Sequence, residues 1–211
     1  MAYKEKLAEL SDMYKDKIQV RFGIELGLQM HLGEYFDSLL SQTPFDFVIG
    51  SSHLVHGYDP YYPEFFEGRK EFLCYMEYFE SILENISAYD GFDVYGHIDY
   101  VVRYGPNKNR EYSYGRYKDI LDEILKKLIS IGKGIELNTG GYHYGLGEPN
   151  PCTAVIRRYR ELGGEIITIG ADAHTPDKIA CAFDKAASVL EACGFRYYTI
   201  FKDRKPEFIS L

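Results

Sequence analysis

Two apolar periods alternate along the chain, and this alternation limits the fold more than any other feature. Short runs rich in Val, Ile and Phe read as strands at Ile18–Leu26, Phe45–Gly50, Phe92–Ile98, Gly134–Asn138, Glu165–Ala171 and Tyr197–Phe201. Segments with helical period separate them. Tyr3–Tyr14 places Leu7, Leu10 and Tyr14 on one face, and Glu64–Tyr89 carries Phe72, Met76, Phe79, Leu83 and Ile86 on one stripe. Asp119–Ile131 is strongly amphipathic, Pro151–Leu162 has Pro in its first turn, and Asp177–Cys193 stops at Gly194. Strands joined through helices cannot form hairpins, so the crossovers make them parallel and the class α/β. The polar stretches Arg103–Ser113 and Gly140–Asn150 read as surface loops. No repeat or linker divides the 211 residues, which suffice for one core, so a single domain over 1–211 is expected.

The chemistry gathers at the carboxyl ends of these strands. The first ends in G-I-E-L-G with Glu25; the second in I-G-S-S-H-L-V-H-G with His53 and His56. The third ends in Y-G-H-I-D-Y-V-V-R with His97, Asp99 and Arg103, and the fourth in G-I-E-L-N with Glu136 and Asn138. The fifth ends in I-G-A-D-A-H with Asp172 and His174. In parallel α/β folds that end is where active sites form. Burying so many ionisable groups unpaired costs several kcal/mol, so divalent cations are their natural partners, with imidazole suited to zinc, iron and manganese. Glu136 and Asn138 either ligate or only line the site, and His56 and His143 read as groups facing a substrate or supporting a ligand. Asp99 orients an imidazole or caps the next element. Tyr58, Tyr61 and Tyr62 read as a packed loop, with a binding wall as the alternative.

Composition narrows the partners. There are 24 basic and 32 acidic residues, a net charge of −8, which disfavours a nucleic-acid surface but leaves room for a small phosphorylated substrate in a cleft. Cys74, Cys152, Cys181 and Cys193 have no zinc-knuckle or redox spacing, which points to a reducing compartment. Met1–Val20 is charged without a signal-peptide core, and no stretch approaches the roughly 18 apolar residues of a membrane span. A cytoplasmic protein without membrane partners is expected.

Taken in order, G-I-E-L-G, G-S-S-H, Y-G-H-I-D-Y-V-V-R-Y-G and I-G-A-D-A-H resemble the polymerase-and-histidinol-phosphatase (PHP) superfamily, most of all its histidinol-phosphatase branch. The resemblance spans nearly the whole chain. It implies a distorted (β/α)7 TIM-like barrel, two or three divalent metals (zinc, iron or manganese), and hydrolysis of a phosphate monoester such as histidinol phosphate. Residue by residue, it makes Glu25 a bridging carboxylate, His53 and His97 ligands of one metal, and Asp172 and His174 ligands of the others. A hydroxide held near Glu25 and Asp172 is then the nucleophile, and Arg103 grips the phosphate, with a solvated loop cation as the alternative for Arg103.

The sequence departs from the family at its start, where the H-x-H motif and the acidic residue and His that follow it are missing. The expected barrel therefore lacks its first strand. Of the expected metal sites, the one formed by Glu25, His53 and His97 keeps its whole set, and fewer ions than in the family are expected. Open strand edges near Val20 and Thr199 suggest a homodimer across the gap. Another phosphoesterase of the superfamily, a non-catalytic metal-binding remnant and an unrelated metal-dependent barrel remain as alternatives.

Overall fold

Five of the apolar runs become parallel strands in the order of the sequence. In the computed structural model, which describes residues 2–211, these are β1 (Gly23–Gly27), β2 (Phe47–Ser51), β3 (Val94–Tyr95), β4 (Gly134–Asn138) and β5 (Ile167–Gly170). The helices are α1 (Ala2–Met13), α2 (Gly33–Gln42), α3 (Glu71–Ala88), α4 (Lys118–Ser130), the single turn α5 (Gly140–His143), α6 (Thr153–Glu161) and α7 (Phe183–Ala192). The registers pair Glu25 with Ile49, Gly50 with Tyr95 and Tyr95 with Ile135, so the strand ends stay level and their polar residues emerge on one rim.

Burial explains why this alternation is stable. Tyr75, Tyr78, Phe79, Ile82 and Ile86 of α3 are fully buried, as are Leu121, Ile124, Leu125 and Leu128 of α4. Each such side chain contributes about 1.5–3 kcal/mol when taken from water. All five residues of β4 are buried, as expected for a strand covered on both faces. The four cysteines are free thiols. Among the described residues, no helix is long and apolar enough to cross a membrane.

Several boundaries differ from the sequence reading, each for a local reason. β1 starts at Gly23 rather than Ile18, and Ile18 is exposed. β3 is reduced to Val94–Tyr95 because the chain turns at His97 (φ 22°) into a 3-10 turn at Tyr100–Arg103. α3 starts at Glu71 rather than Glu64, because Pro63–Phe65 closes a separate turn and Gly68 takes φ 69°. The last helix starts at Phe183, since Ala180 and Ala182 sit at φ 55° and 56°. Helix α2 has no counterpart in the sequence reading. The two expected surface loops are not simply surface either: Arg103, Tyr112 and Asn150 are buried.

The largest correction concerns Tyr197–Phe201. It is not a sixth parallel strand but half of an antiparallel hairpin, β6 (Tyr197–Lys202) with β7 (Lys205–Ser210). The turn residues Asp203 and Arg204 have φ of 50° and 63°, the geometry of a type I′ turn. β6 lies beside β5, where the Ile167 amide donates to Thr199 Oγ1 at 3.3 Å, and Phe201 stacks on Phe47. The tip is fastened to the amino ends of β2 and β3. Arg204 Nε lies 2.7 Å from both carboxylate oxygens of Asp93, and the Asp203 and Arg204 amides donate to Asp46. Asp93 is buried and also accepts the Val48 amide. Arg204→Ala strands this carboxylate, so a loss of about 2–4 kcal/mol in urea unfolding is expected.

A second buried carboxylate sets acid stability. Asp122 on α4 accepts Nε and Nη2 of Arg158 at 3.0 and 2.8 Å, Lys118 at 3.1 Å and the Tyr114 hydroxyl at 2.7 Å. The Arg158 bonds, aided by Tyr114 and Lys118, hold its carboxyl well below the usual range. Its contribution is therefore present above the unfolded value near pH 3.8 and is lost as pH falls through the lower folded value. Asp122→Asn is expected to lower the melting temperature at pH 7 and to shrink the difference from wild type as the pH falls below about 4.

Beyond β1 the parallel sheet stops. β1 and its flanks direct the Phe22 C=O, the Leu26 backbone and the Leu28 N–H to β2 and its flank, so the N–H and C=O groups of Glu25 and Gly27 point outward. No described residue hydrogen-bonds those outward groups.

Candidate metal centre

The ends of β1, β2 and β3 bring three donors to one point. Glu25 Oε1 lies 3.2 Å from His97 Nε2 and 3.4 Å from His53 Nε2, and it accepts the Ser51 hydroxyl at 2.7 Å. One ligand atom from each of Glu25, His53 and His97 lies within 4.8 Å of the others. The side chain of His97 is 3% exposed, whereas Glu25 and His53 are 36% and 37% exposed, so the cluster has a buried floor and an open mouth. Tyr100 packs against both imidazoles, with ring centroids 5.0 and 5.1 Å away.

Small residues allow this approach. A Cβ on Gly96 would meet Ile49 at 2.9 Å, and one on Gly170 would fall 2.0 Å from Glu136 Oε1. Glu136 lies behind the cluster, where its Oε2 accepts the His97 amide at 3.1 Å and Asn138 Nδ2 at 3.0 Å. It steadies the turn that presents His97 and does not join the three donors.

The electrostatics follow from burial and charge. Burial pushes the Glu25 carboxyl up, but the hydrogen bond and charge of His97, with Ser51 and His53, prevail and hold it at about 2. Burial and the His97 charge push His53 down. Burial, with the charge of Arg103, acts to lower His97, yet the bond to Glu25 and the charges of Glu25 and Glu136 together outweigh this and raise it.

Asp172 and His174 stand beside this group. Asp172, at φ 51°, binds Arg103 Nη1 through Oδ2 at 2.5 Å, and His174 Nε2 lies 3.3 Å from its Oδ1. The side chain of His174 is 81% exposed. Both line the same cavity of about 340 Å³ as Glu25, His53, Arg103 and a wall of Tyr61, Tyr100, Tyr104 and Tyr144.

Arg103 is no solvated loop cation. Its side chain is 1% exposed and lies over the Tyr144 ring at 4.6 Å. Nε donates to Asn150 Oδ1 at 2.8 Å and Nη2 to Asn138 Oδ1 at 3.1 Å. With Nη1 on Asp172, three of the five guanidinium N–H groups are engaged and the other two are uncommitted.

Other expectations do not converge here. His56 turns away to Glu84 (3.0 Å) and Glu77 (3.5 Å) on α3 and lines a separate cavity with Gln29, His31 and Asn85. The left-handed backbone at His56 (φ 48°), followed by Gly57 (φ 90°), sends its side chain off the rim. His143 is exposed and does not line the site cavity. Asp99 neither orients an imidazole nor caps a helix by its side chain; it accepts Asn150 Nδ2 at 2.6 Å and the Cys152 amide at 2.8 Å. The tyrosine loop is exposed rather than packed, and Tyr61 reaches the cavity. Ser51, Tyr144 and Asn150 were missed. Only Ser51, inside the motif G-S-S-H, carried any signal.

An α/β barrel-type sheet with a carboxylate–imidazole cluster on its carboxyl rim defines a metal-site architecture. The profile of the PHP domain family matches residues 2–140. The histidinol-phosphatase of Lactococcus lactis is 29% identical over 204 residues, 96% of this chain and 76% of that protein. A probable histidinol-phosphatase of Clostridium acetobutylicum is 32% identical over 181 residues, 84% of this chain and 69% of that protein. The crystal structure of the Lactococcus lactis histidinol phosphate phosphatase, complexed with zinc, L-histidinol and phosphate, superposes with a TM-score of 0.88 at 28% identity. That match covers 98% of this chain and 78% of the other. The chain belongs to the PHP domain family, and its architecture is the distorted TIM-like barrel of a PHP histidinol phosphatase.

Proposed function

We propose that this chain is a metal-dependent phosphatase that hydrolyses L-histidinol phosphate to histidinol and phosphate. One observation carries the reading: the Glu25–His53–His97 cluster opens into a tyrosine- and arginine-lined cavity in a fold shared with a phosphatase bound to zinc, histidinol and phosphate.

The donor set fits a divalent cation. Glu25 Oε1 is approached by one hydroxyl and two imidazole nitrogens, three partners for an oxygen with two lone pairs. The crowding is relieved when the Nε2 lone pairs point to a cation, and two imidazoles with a carboxylate suit zinc, iron or manganese. Bound there, such an ion supplies Lewis-acid charge stabilisation and acidifies water for attack on phosphorus. Asp172 and His174 offer further donors on the same rim. Arg103 directs its two uncommitted N–H groups at an anion in the cavity, which Tyr61, Tyr104 and Tyr144 wall. Glu136 and Asn138 act behind the ligands, by holding the His97 turn and the Arg103 fork.

The domain works as one unit over 1–211 in the cytoplasm, a placement supported by its four free thiols. Its acidic surface favours a small substrate over nucleic acid. The outward backbone groups of Glu25 and Gly27 support a homodimer across the β1 edge, which light scattering at several concentrations tests; a concentration-independent monomer mass removes it. For activity, zinc-, manganese- or iron-loaded protein is assayed with histidinol phosphate, an aryl phosphate and a short oligonucleotide. Preference for histidinol phosphate is expected, and equal or better turnover of either alternative defeats the assignment. A second reading, a metal-binding remnant, is favoured by one observation: Asp172 is engaged by Arg103, which leaves one three-donor group among the described residues. It predicts bound metal without phosphate release.

A further inference from the structure

The sequence of hydrogen bonds behind Arg103 runs deeper than the cavity. Arg103 Nε donates to Asn150 Oδ1, Asn150 Nδ2 donates to Asp99 Oδ1 at 2.6 Å, and Asp99 Oδ2 accepts the Cys152 amide at 2.8 Å. Asn150 is 0% and Asp99 1% exposed, and neither lines the cavity. A buried carboxylate that touches neither ligand nor solvent needs a reason to be retained. Here the reason is polarity. An amide can turn either end toward a guanidinium, and only the oxygen end helps. As a carboxylate Asp99 can only accept, so it draws the NH₂ end of Asn150 and leaves the carbonyl facing Arg103. The Asn150 backbone is fixed as well, because its N–H and C=O pair with those of Asn138. Asn138 in turn accepts Arg103 Nη2. The guanidinium plane is thus set from two sides, which decides where its two uncommitted N–H groups point.

We propose that Asp99, acting through Asn150, is a positioning residue that orients the Arg103 fork toward the phosphoryl group. The proposal rests on the phosphatase reading for what the fork grips, but not for how the fork is held.

The test exploits the polarity of the relay. Asp99→Asn leaves one amide end facing a donor, and Asn150→Asp sets two carboxylates against each other. In the double variant D99N/N150D every bond reforms with the roles exchanged. The carboxylate, now at position 150, accepts Arg103 Nε and the NH₂ of the amide, now at position 99. The oxygen of that amide accepts the Cys152 N–H. Net charge is unchanged. Zinc-loaded wild type, both single variants and the double variant are titrated calorimetrically with inorganic phosphate. The Arg103 Nε–H signal is followed by NMR, assigned by its absence in Arg103→Lys. Each single variant is expected to weaken phosphate by about tenfold or more and to lose the slowly exchanging Nε–H signal. The double variant is expected to return both, with affinity within about threefold of wild type. A double variant as weak as the worse single variant overturns the proposal, also where a single variant folds poorly. Single variants that lower only the melting temperature, with phosphate affinity and the Nε–H signal intact, overturn it too. If wild type ignores phosphate while the signal is lost and regained as described, the phosphatase reading fails and the positioning of Arg103 stands.

Discussion

Replacing Glu25 with Ala is expected to lower phosphate release by about 10³-fold and to strip the bound cation. Glu25 Oε1 is the atom on which Ser51, His53 and His97 converge, so its loss opens the centre of the cluster rather than its rim. Lewis-acid stabilisation of a phosphoryl transition state is worth several kcal/mol, and about 4 kcal/mol corresponds to the stated loss. His53→Ala and His97→Ala should follow the same pattern. They differ in stability, because His97 is buried and its amide is held by Glu136 whereas His53 is open to solvent on one side. His97→Ala should therefore also lower the melting temperature. Elemental analysis together with a phosphate-release assay reads all three variants. Full metal content in the three would end the assignment of this cluster.

Arg103→Lys is expected to lower kcat/KM for histidinol phosphate by about 10²-fold, mainly through a higher KM, and to destabilise the fold by about 2–3 kcal/mol. Lysine keeps the charge but has no planar fork. One ammonium cannot serve Asn150, Asn138 and Asp172 while still presenting two parallel N–H groups to an anion. The buried Asn150 Oδ1 then loses its donor and Asn138 Oδ1 keeps only the Gly140 amide, which accounts for the stability loss. Steady-state kinetics and urea unfolding measure the two effects separately. A variant with wild-type KM would remove Arg103 from substrate binding.

Much of this arrangement was legible because parallel strands deliver their last residues to one rim. Glu25, His53 and His97 could be placed together from G-I-E-L-G, G-S-S-H and Y-G-H without knowing any helix boundary. The local period gives the strand, and the class gives the side. His56 could not be excluded that way, because its departure from the rim depends on a positive φ that no side-chain pattern announces. The hairpin was hidden for a related reason. Its turn residues Asp203 and Arg204 lack the Asn-Gly signature of type I′ turns, and the conformation is held by Asp46 and Asp93, more than a hundred positions away. Asn150 was invisible because an Asn before Pro in a polar stretch looks like any turn residue. Its meaning lies in Asp99 and Arg103, which the chain brings to it from 51 and 47 positions away.

The fastening of the hairpin tip has a consequence for how the protein is made. Asp46 and Asp93 are translated early, yet the guanidinium that neutralises one and the amides that cap the other belong to residues 203 and 204. A nascent chain can assemble its parallel strands, but the buried Asp93 carboxylate lacks its guanidinium until residue 204 leaves the ribosome. Maturation of the domain is thus tied to synthesis of the hairpin, and a message cut short before residue 203 yields a product that lacks this clasp.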